Sequence, residues 1–381
     1  MEKRDIPLHA PDLGQRERTA VTEVLSTGEL KGGGVYDSRL TDLIETEFDA
    51  PKALTTPSCT HALEMAAMLL DIGPGDEVIV PSYTFPSTAT AFLRHGATLT
   101  FCDVVPETLN MDPDHFEALA SDETVAVVPV HYAGVACEMD RICAVADSHD
   151  IAVVEDAAQA VNACYNGAYL GTVGDFGCYS FHGTKSYAAG EGGALIISKD
   201  EYVERAEIIR QKGTNYEQFR RGDVEKYEWV DTGSSYVPSE IQSALAYVQL
   251  KRREEIRTAR KTTYEYYRDE FAPLVAGGSL RLQTLPDNCR PNYHLFYLLT
   301  GSEAERDALV AQLQDAGVGA AQHYEPLHTA PKGRELGYES GDLPVTERLA
   351  PRLLRLPVHP NVSAADRSHV VNTVQTFYET K

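Results

Sequence analysis

The chain has 381 residues, 43% of them hydrophobic, and carries 34 basic against 57 acidic side chains, a net charge of −23. This length supports one large core and a smaller second one, and a surface so acidic repels nucleic acid and anionic membrane, so neither is expected as a partner. No stretch approaches the roughly 20 apolar residues of a membrane helix, and Met1-Glu2-Lys3-Arg4-Asp5 lacks the apolar centre of a signal peptide, so a cytoplasmic location is expected.

Apolar runs alternate with helical patterns in the manner of βαβ units, which predicts an α/β fold with a mainly parallel sheet covered on both faces. Thr56-Pro57-Ser58-Cys59-Thr60 sets small hydroxyl residues before a helix from His61 to Leu70, where Ala62, Leu63, Ala66, Ala67 and Leu70 recur at helical spacing. Unpaired N–H groups at such a start suit a phosphate, and the same residues serve equally as a plain N-cap. Strands are expected at Glu77 to Pro81, Thr98 to Asp103 and Val125 to His131. After the first of these, Phe85 offers either a ring to stack on a flat ligand or an ordinary core aromatic.

A helix opens at Ile142 to Asp147, and the next strand, Ile151 to Asp156, ends in a carboxylate. Tyr165-Asn166-Gly167-Ala168 is a two-residue hairpin signal. Phe176 to Phe181 and Ala194 to Ser198 complete the strands. From about Gln249 the texture changes to a charged helix, Lys251 to Tyr267, and then a short α+β region. The expected division is therefore an N-terminal segment with a large domain over 1–248 and a small C-terminal domain over 249–381.

Between the last two strands lies Ser180-Phe181-His182-Gly183-Thr184-Lys185, followed by Gly190-Glu191-Gly192-Gly193. A lone lysine is by default a solvated charge. A lysine that forms a Schiff base must instead sit on a rigid turn, partly desolvated so that it loses its proton, with a carboxylate to keep a pyridine nitrogen charged. Lys185 on its turn and Asp156 at the strand end, with the phosphate-ready helix start and Phe85, converge on pyridoxal 5′-phosphate (PLP) chemistry.

These residues resemble the DegT/DnrJ/EryC1/StrS sugar aminotransferases, within the fold-type I PLP enzymes. The likeness runs from the Pro7 region through Thr27-Gly28-Glu29-Leu30 to Tyr324-Glu325-Pro326-Leu327-His328. It implies a mixed sheet sandwiched by helices, with a smaller C-terminal α+β domain. It also implies that Lys185 bonds the cofactor and moves the proton, that Asp156 pairs with the pyridinium nitrogen and that Gln159 lies near the ring oxygen. Phe85 would stack on the ring, while Ser58, Cys59, Thr60 and Ser180 would meet the phosphate. His182 and His328 would lie in the substrate pocket. Many members reach across a two-fold interface to the phosphate with an Asn from a Gly-x-Asn motif; this chain has Ser235 in Gly233-Ser234-Ser235-Tyr236, so a homodimer with shared sites is implied.

Within the family, Pro57-Ser58-Cys59-Thr60, Val130-His131-Tyr132-Ala133-Gly134-Val135-Ala136-Cys137-Glu138-Met139-Asp140, Lys212-Gly213-Thr214-Asn215 and Gly233-Ser234-Ser235-Tyr236 resemble the transaminases that form dTDP-4-amino-4,6-dideoxygalactose. That resemblance implies transfer from L-glutamate to C4 of dTDP-4-keto-6-deoxyglucose, in cell-surface polysaccharide biosynthesis. Transaminases of GDP-linked or 3-keto sugars are the rivals. A noncatalytic sugar-nucleotide binder has no need of Lys185, and sugar dehydratases of the family carry His there. A nicotinamide enzyme would show G-x-G-x-x-G after its first strand, which is missing.

The segment Ile209 to Lys226 holds Arg210, Lys212, Arg220, Arg221 and Lys226 against Glu217, Asp223 and Glu225. A local cationic patch on an acidic protein focuses an anionic ligand, so Arg220 and Arg221 are the expected contacts of the sugar nucleotide's diphosphate; the alternative is a solvated charged helix end. His131, His182, His323 and His328 are dispersed without ligand spacing, and no metal is expected. The seven cysteines are odd in number and lack a C-x-x-C pair, so they read as reduced core thiols.

Overall fold

The structure is a computed structural model that describes residues 5–380. In chain order its first strands are β1 (Lys52–Thr56), β2 (Glu77–Pro81), β3 (Thr98–Cys102), β4 (Thr124–Val127) and β5 (Ala152–Asp156). A small hairpin of β6 (Cys164–Tyr165) and β7 (Ala168–Tyr169) precedes β8 (Phe176–Ser180) and β9 (Gly193–Ile197). Seven of these form one sheet in the order β1-β9-β8-β5-β4-β2-β3. The pairs from β8 to β3 are parallel, whereas β9 runs antiparallel between β8 and β1. The mainly parallel mixed sheet expected from the sequence is the architecture found.

Period-two alternation explains why these strands read as continuous apolar runs. Val78, Val80, Ala126, Val128, Val154, Cys178, Leu195 and Ile197 enter one core, and Ile79, Val127, Val153, Tyr179 and Ile196 enter the other. Successive side chains point to opposite faces, so a strand covered on both sides must be apolar at nearly every position. The helix Cys59–Leu69 covers the first face with Ala62, Leu63, Ala66 and Ala67, and Met139–His149 covers the second with Met139, Ile142 and Ala146.

Several boundaries depart from the sequence reading. The helix expected from His61 begins at Cys59, because the Ser58 side chain accepts from the His61 N–H at 3.2 Å and caps it. β4 stops at Val127 instead of His131, since Pro129 has no N–H to donate and Ala133 turns the chain at a left-handed φ of 57°. Val130 keeps a single bridge to Asp156, which bends it toward the strand ends. β1, whose Lys-Ala-Leu-Thr-Thr has no clear period, exists through its full ladder to β9. Asn166 and Gly167 have φ of 48° and 91°, the two positive values that a type I′ hairpin needs.

The remaining strands are β10 (Arg281–Leu282), β11 (Cys289–Arg290), β12 (Phe296–Leu299) and β13 (Leu353–Leu356). β11 joins the β6–β7 hairpin, and β10-β12-β13 form a second sheet. Its core takes Tyr264, Tyr267 and Phe271 from the helix Arg253–Ala276, Leu309 and Leu313 from Glu303–Asp315, and Val370 and Val374 from Ala364–Glu379. Ile6 packs into this same core and bridges Val318, so the N-terminal segment is clamped onto the second sheet. The division expected between 248 and 249 falls inside the helix Glu240–Lys251. Leu354 and Leu356 of β13 point into the second core, which by alternation turns Leu353 and Arg355 toward the seam with the large sheet. Among the described residues no helix is long and apolar enough to cross a membrane.

Candidate active site

A cavity of about 740 Å³ opens at the carboxyl ends of the parallel strands, where ligands of open α/β sheets bind. Lys185 reaches it from the loop between β8 and β9. That loop is closed by short rungs: Gly183 N–H to Gly190 O at 2.8 Å, Phe181 N–H to Gly192 O at 2.8 Å and Ala189 N–H to Phe181 O at 2.7 Å. Gly190 at φ 82° and Gly192 at φ 153° supply backbone conformations that a side chain resists. Part of Lys185 faces the cavity, yet protein crowds its amine from every other side. Burial pushes the amine below its usual range; Asp156 and Cys59 oppose this, and the Arg355 guanidinium adds to it.

Asp156, 6% exposed, ends β5 on the cavity floor. Thr88 Oγ1 donates to its Oδ2 at 2.7 Å and the Ala158 N–H to its Oδ1 at 3.1 Å, so the carboxylate is fixed in one orientation. Ser58, Cys59 and Thr60 line the cavity at the start of the helix Cys59–Leu69, whose first-turn N–H groups have no intrahelical acceptor. A Cβ on Gly193 would stand 2.5 Å from the Ser58 carbonyl carbon and 2.6 Å from the Cys59 nitrogen, so only glycine lets β9 pass beneath this turn. Ser180 joins the same wall. Burial pushes the Cys59 thiol well up, which keeps it protonated.

Gln159 lines the cavity with both ends of its amide engaged: Oε1 accepts from the Ala133 N–H at 2.8 Å and Nε2 donates to the Tyr324 hydroxyl at 3.0 Å. Phe85 is 56% exposed, its ring 6.2 Å from that of Tyr324. His182 stands at the rim, with Nδ1 2.9 Å from Thr184 Oγ1 and Nε2 3.7 Å from Glu191.

Four expected site residues are not brought to this cavity. His328 is fully buried behind its wall, with Nδ1 2.6 Å from Ser82 Oγ and Nε2 3.0 Å from Glu347 Oε1, so both ring nitrogens are spent on internal contacts. Ser235 is exposed on an outer face and bridged to Gln211. Arg220 and Arg221 lie on the short helix Tyr216–Arg221 and pair with Glu217 at 3.3 Å, and with Glu207 at 2.7 Å and Asp223 at 3.1 Å. Arg210 turns inward onto Asp37 at 2.8 Å, and Lys226 meets Glu228 at 3.0 Å. Four of the segment's five cations are therefore paired, by acids drawn largely from outside it, and the exposed Lys212 makes no ion pair among the described residues.

Sequence reasoning missed Thr88, His9, His294 and Arg355, and it left His323 unassigned. All line the cavity. Arg355 carried one signal, a lone cation within the apolar run Leu353-Leu354-Arg355-Leu356; His9 and His294 carried none. Burial and then Arg355 lower the His9 imidazole to about 4 and that of His323 to about 2. Among the described residues no cluster of His, Cys, Asp and Glu has the makings of a metal site.

The donor set fits PLP: a lysine amine, a fixed carboxylate for the ring nitrogen, an amide-rich helix start for the phosphate and a ring at the mouth. Residues 11–375 match the DegT/DnrJ/EryC1/StrS aminotransferase family. The spore coat polysaccharide biosynthesis protein SpsC of Bacillus subtilis (strain 168) is 33% identical over 389 aligned residues, 98% of each chain. The sugar aminotransferase CalS13 from Micromonospora echinospora superposes with a TM-score of 0.88 at 28% identity, over 97% of this chain and 99% of that one. The PLP form of Spr1654 from Streptococcus pneumoniae superposes with a TM-score of 0.91 at 26% identity, over 99% of each. The chain belongs to the DegT/DnrJ/EryC1/StrS aminotransferase family, and its cofactor is PLP.

Proposed function

We propose that the protein moves an amino group from L-glutamate to C4 of a nucleotide-linked 4-keto-6-deoxy sugar, converting dTDP-4-keto-6-deoxyglucose to dTDP-4-amino-4,6-dideoxygalactose. The observation that carries the reading is one cavity of about 740 Å³ holding both Lys185, with its amine pKa lowered, and Asp156. When bound, PLP supplies an electron sink that acidifies the carbon bearing the amine. Lys185 takes the proton from that carbon and returns it, a task that needs an amine able to give up its charge near neutral pH. Asp156, held by Thr88 and Ala158, presents a fixed negative charge to the ring nitrogen. The amides and hydroxyls at Ser58, Cys59, Thr60 and Ser180 anchor the phosphate, Gln159 and Phe85 bound the ring, and His182 meets the sugar at the rim.

A sugar acceptor is supported by the relative described as the sugar aminotransferase CalS13, and a polysaccharide destination by SpsC. The C4 position and the dTDP carrier rest on the Pro57-Ser58-Cys59-Thr60 and Lys212-Gly213-Thr214-Asn215 motifs. The active form is a two-fold dimer in which the exposed Ser235 donates to the partner's phosphate site. Phe219, Tyr227, Val230 and an 80% exposed Trp229, just before Ser235, support an interface on this face. There Arg220 and Arg221 exchange their carboxylate partners for the acceptor's diphosphate. Seven free thiols support a reducing, cytoplasmic setting.

The test is a panel of dTDP- and GDP-linked keto sugars assayed with L-glutamate and PLP. The expected product carries one amine at C4 of the dTDP sugar. Nitrogen found at C3 by NMR, or no amine product from dTDP-4-keto-6-deoxyglucose, ends the proposal.

A further inference from the structure

Buried arginines in this chain are matched to carboxylates with some regularity. Arg210 has Asp37, Arg252 has Asp12 and Glu17, and Arg306 has Glu303 and Asp307. Two lack a carboxylate: the buried Arg260 spends its guanidinium on the Tyr293 and His294 carbonyls at 3.1 and 2.7 Å, whereas the half-buried Arg355 lines the active cavity. Among the described residues Arg355 makes no ion pair: Nη1 meets His9 Nε2 at 3.4 Å, Nη2 donates to the Gln322 carbonyl at 3.1 Å, and the buried Nε has no partner. A half-buried cation without a counter-charge is costly to hold away from water, so a site that keeps one is incomplete without its anion.

The surroundings deepen the asymmetry. His9 and His323 are held neutral by burial and by Arg355, so each offers hydrogen bonding without a second charge. His294 is depressed too, by burial first and then Lys185. Arg355 is also near enough to Lys185 to disfavour the charge on its amine. One wall of the cavity therefore carries positive potential beside the reacting amine, and of the carboxylates that also line the cavity, Asp156, Glu191 and Glu325, none pairs with Arg355.

We infer that Arg355, flanked by His9 and His323, binds the α-carboxylate of the amino donor. The inference rests on the aminotransferase reading and not on the identity of the sugar. The α-carboxylate sits on the carbon that loses its proton, so its anchor must share a wall with Lys185, as Arg355 does. The acceptor's diphosphate is joined to C1, across the hexose ring from the reacting C4, and lies away from the amine. A planar guanidinium matches a carboxylate in shape as well as charge. The carboxylate also stabilises the protonated form of the donor-side groups only while donor is present, leaving the Lys185 amine depressed between turnovers.

The experiment uses the holoenzyme and its Arg355→Met and Arg355→Lys variants, with the two half-reactions followed separately. L-2-hydroxyglutarate, which has the α-carboxylate but no amine, serves as a binding probe by calorimetry. Arg355→Met is expected to weaken the probe and the L-glutamate half-reaction by about tenfold or more, the worth of a charge-assisted hydrogen bond, and Arg355→Lys by less. The keto-sugar half-reaction of the amine-loaded protein stays within about threefold, as a contact confined to the donor requires. Equal losses in both halves, a loss confined to the keto-sugar half, or unchanged probe binding would overturn the assignment. Should Arg355→Met not fold, NMR titration of His9 and His323 in the wild-type apoprotein decides: saturating probe must raise their imidazole pKa values by neutralising Arg355, and no rise rejects the site. If every keto sugar fails as acceptor, the sugar proposal falls alone, because the donor half-reaction and its dependence on Arg355 are measured without it.

Discussion

Residues 209–226 and the wall of the active cavity both concentrate basic groups on an acidic chain, but the arginines of the first region are all paired with acids, whereas the arginine of the second is open. In the segment, Arg210, Arg220, Arg221 and Lys226 each have a carboxylate, and Asp37, Glu207 and Glu228 come from outside the stretch. In the cavity, Lys185, Arg355, His9, His294 and His323 come from separate parts of the sequence, and Arg355 meets no acid among the described residues. A tally of charge along the chain therefore says little about where an anion finds an unpaired cation. What matters is which acids the fold delivers: Asp156, Glu191 and Glu325 line the same cavity, yet none of them pairs with Arg355.

The sharpest probe of the open region is Lys185→Ala. Turnover should fall by at least ~10³-fold, since the residue is both nucleophile and proton carrier, and borohydride should no longer fix cofactor to a lysine. In the apoprotein the same change removes one of the cations that depress His323, so its imidazole pKa should rise from about 2. A His323 titration that does not move would mean that the wall potential is built otherwise.

The paired region divides into a buried and an exposed half. Asp37→Ala strands the Arg210 guanidinium, whose side chain is only 8% exposed, and should cost about 3–5 kcal/mol in urea unfolding. Glu207→Ala leaves the half-exposed Arg221 with Asp223 alone and should cost at most about 1 kcal/mol. Similar costs for the two would erase the distinction.

A kinetic version sets the two regions against each other. Changing Arg220 and Arg221 together to Ala should raise the acceptor's KM by more than about twofold through lost steering and contact, with the donor's KM unmoved. An effect on the donor instead would merge the regions.

The smallest effect expected is a pH slope. His9 has a folded value near 4 against an unfolded 6.5, so on acidification the unfolded chain takes the proton first. Stability should then fall as pH drops from about 6.5 to 4, and rise with pH across that window. His9→Asn should flatten this part of the curve in denaturant melts taken at stepped pH; an unchanged slope would show that His9 is not held neutral.

Sequence by itself determined the elements whose physics is local. The apolar runs of β2, β5 and β8 follow from burial on both faces, the Asn166-Gly167 turn from backbone freedom, and the placement of Lys185 and Asp156 from a glycine-closed loop and a strand end. Tertiary structure alone decided the rest. β1 has no pattern of its own and exists because β9 supplies its ladder. His328 shares a motif with the cavity-lining Tyr324, yet Ser82 and Glu347 draw its ring behind the wall. His9 and Arg355 are 346 positions apart and meet only because the N-terminal segment is clamped against the second sheet. Hydrogen bonds and charge pairing depend on distance in space, and a sequence fixes that distance only through the fold it adopts.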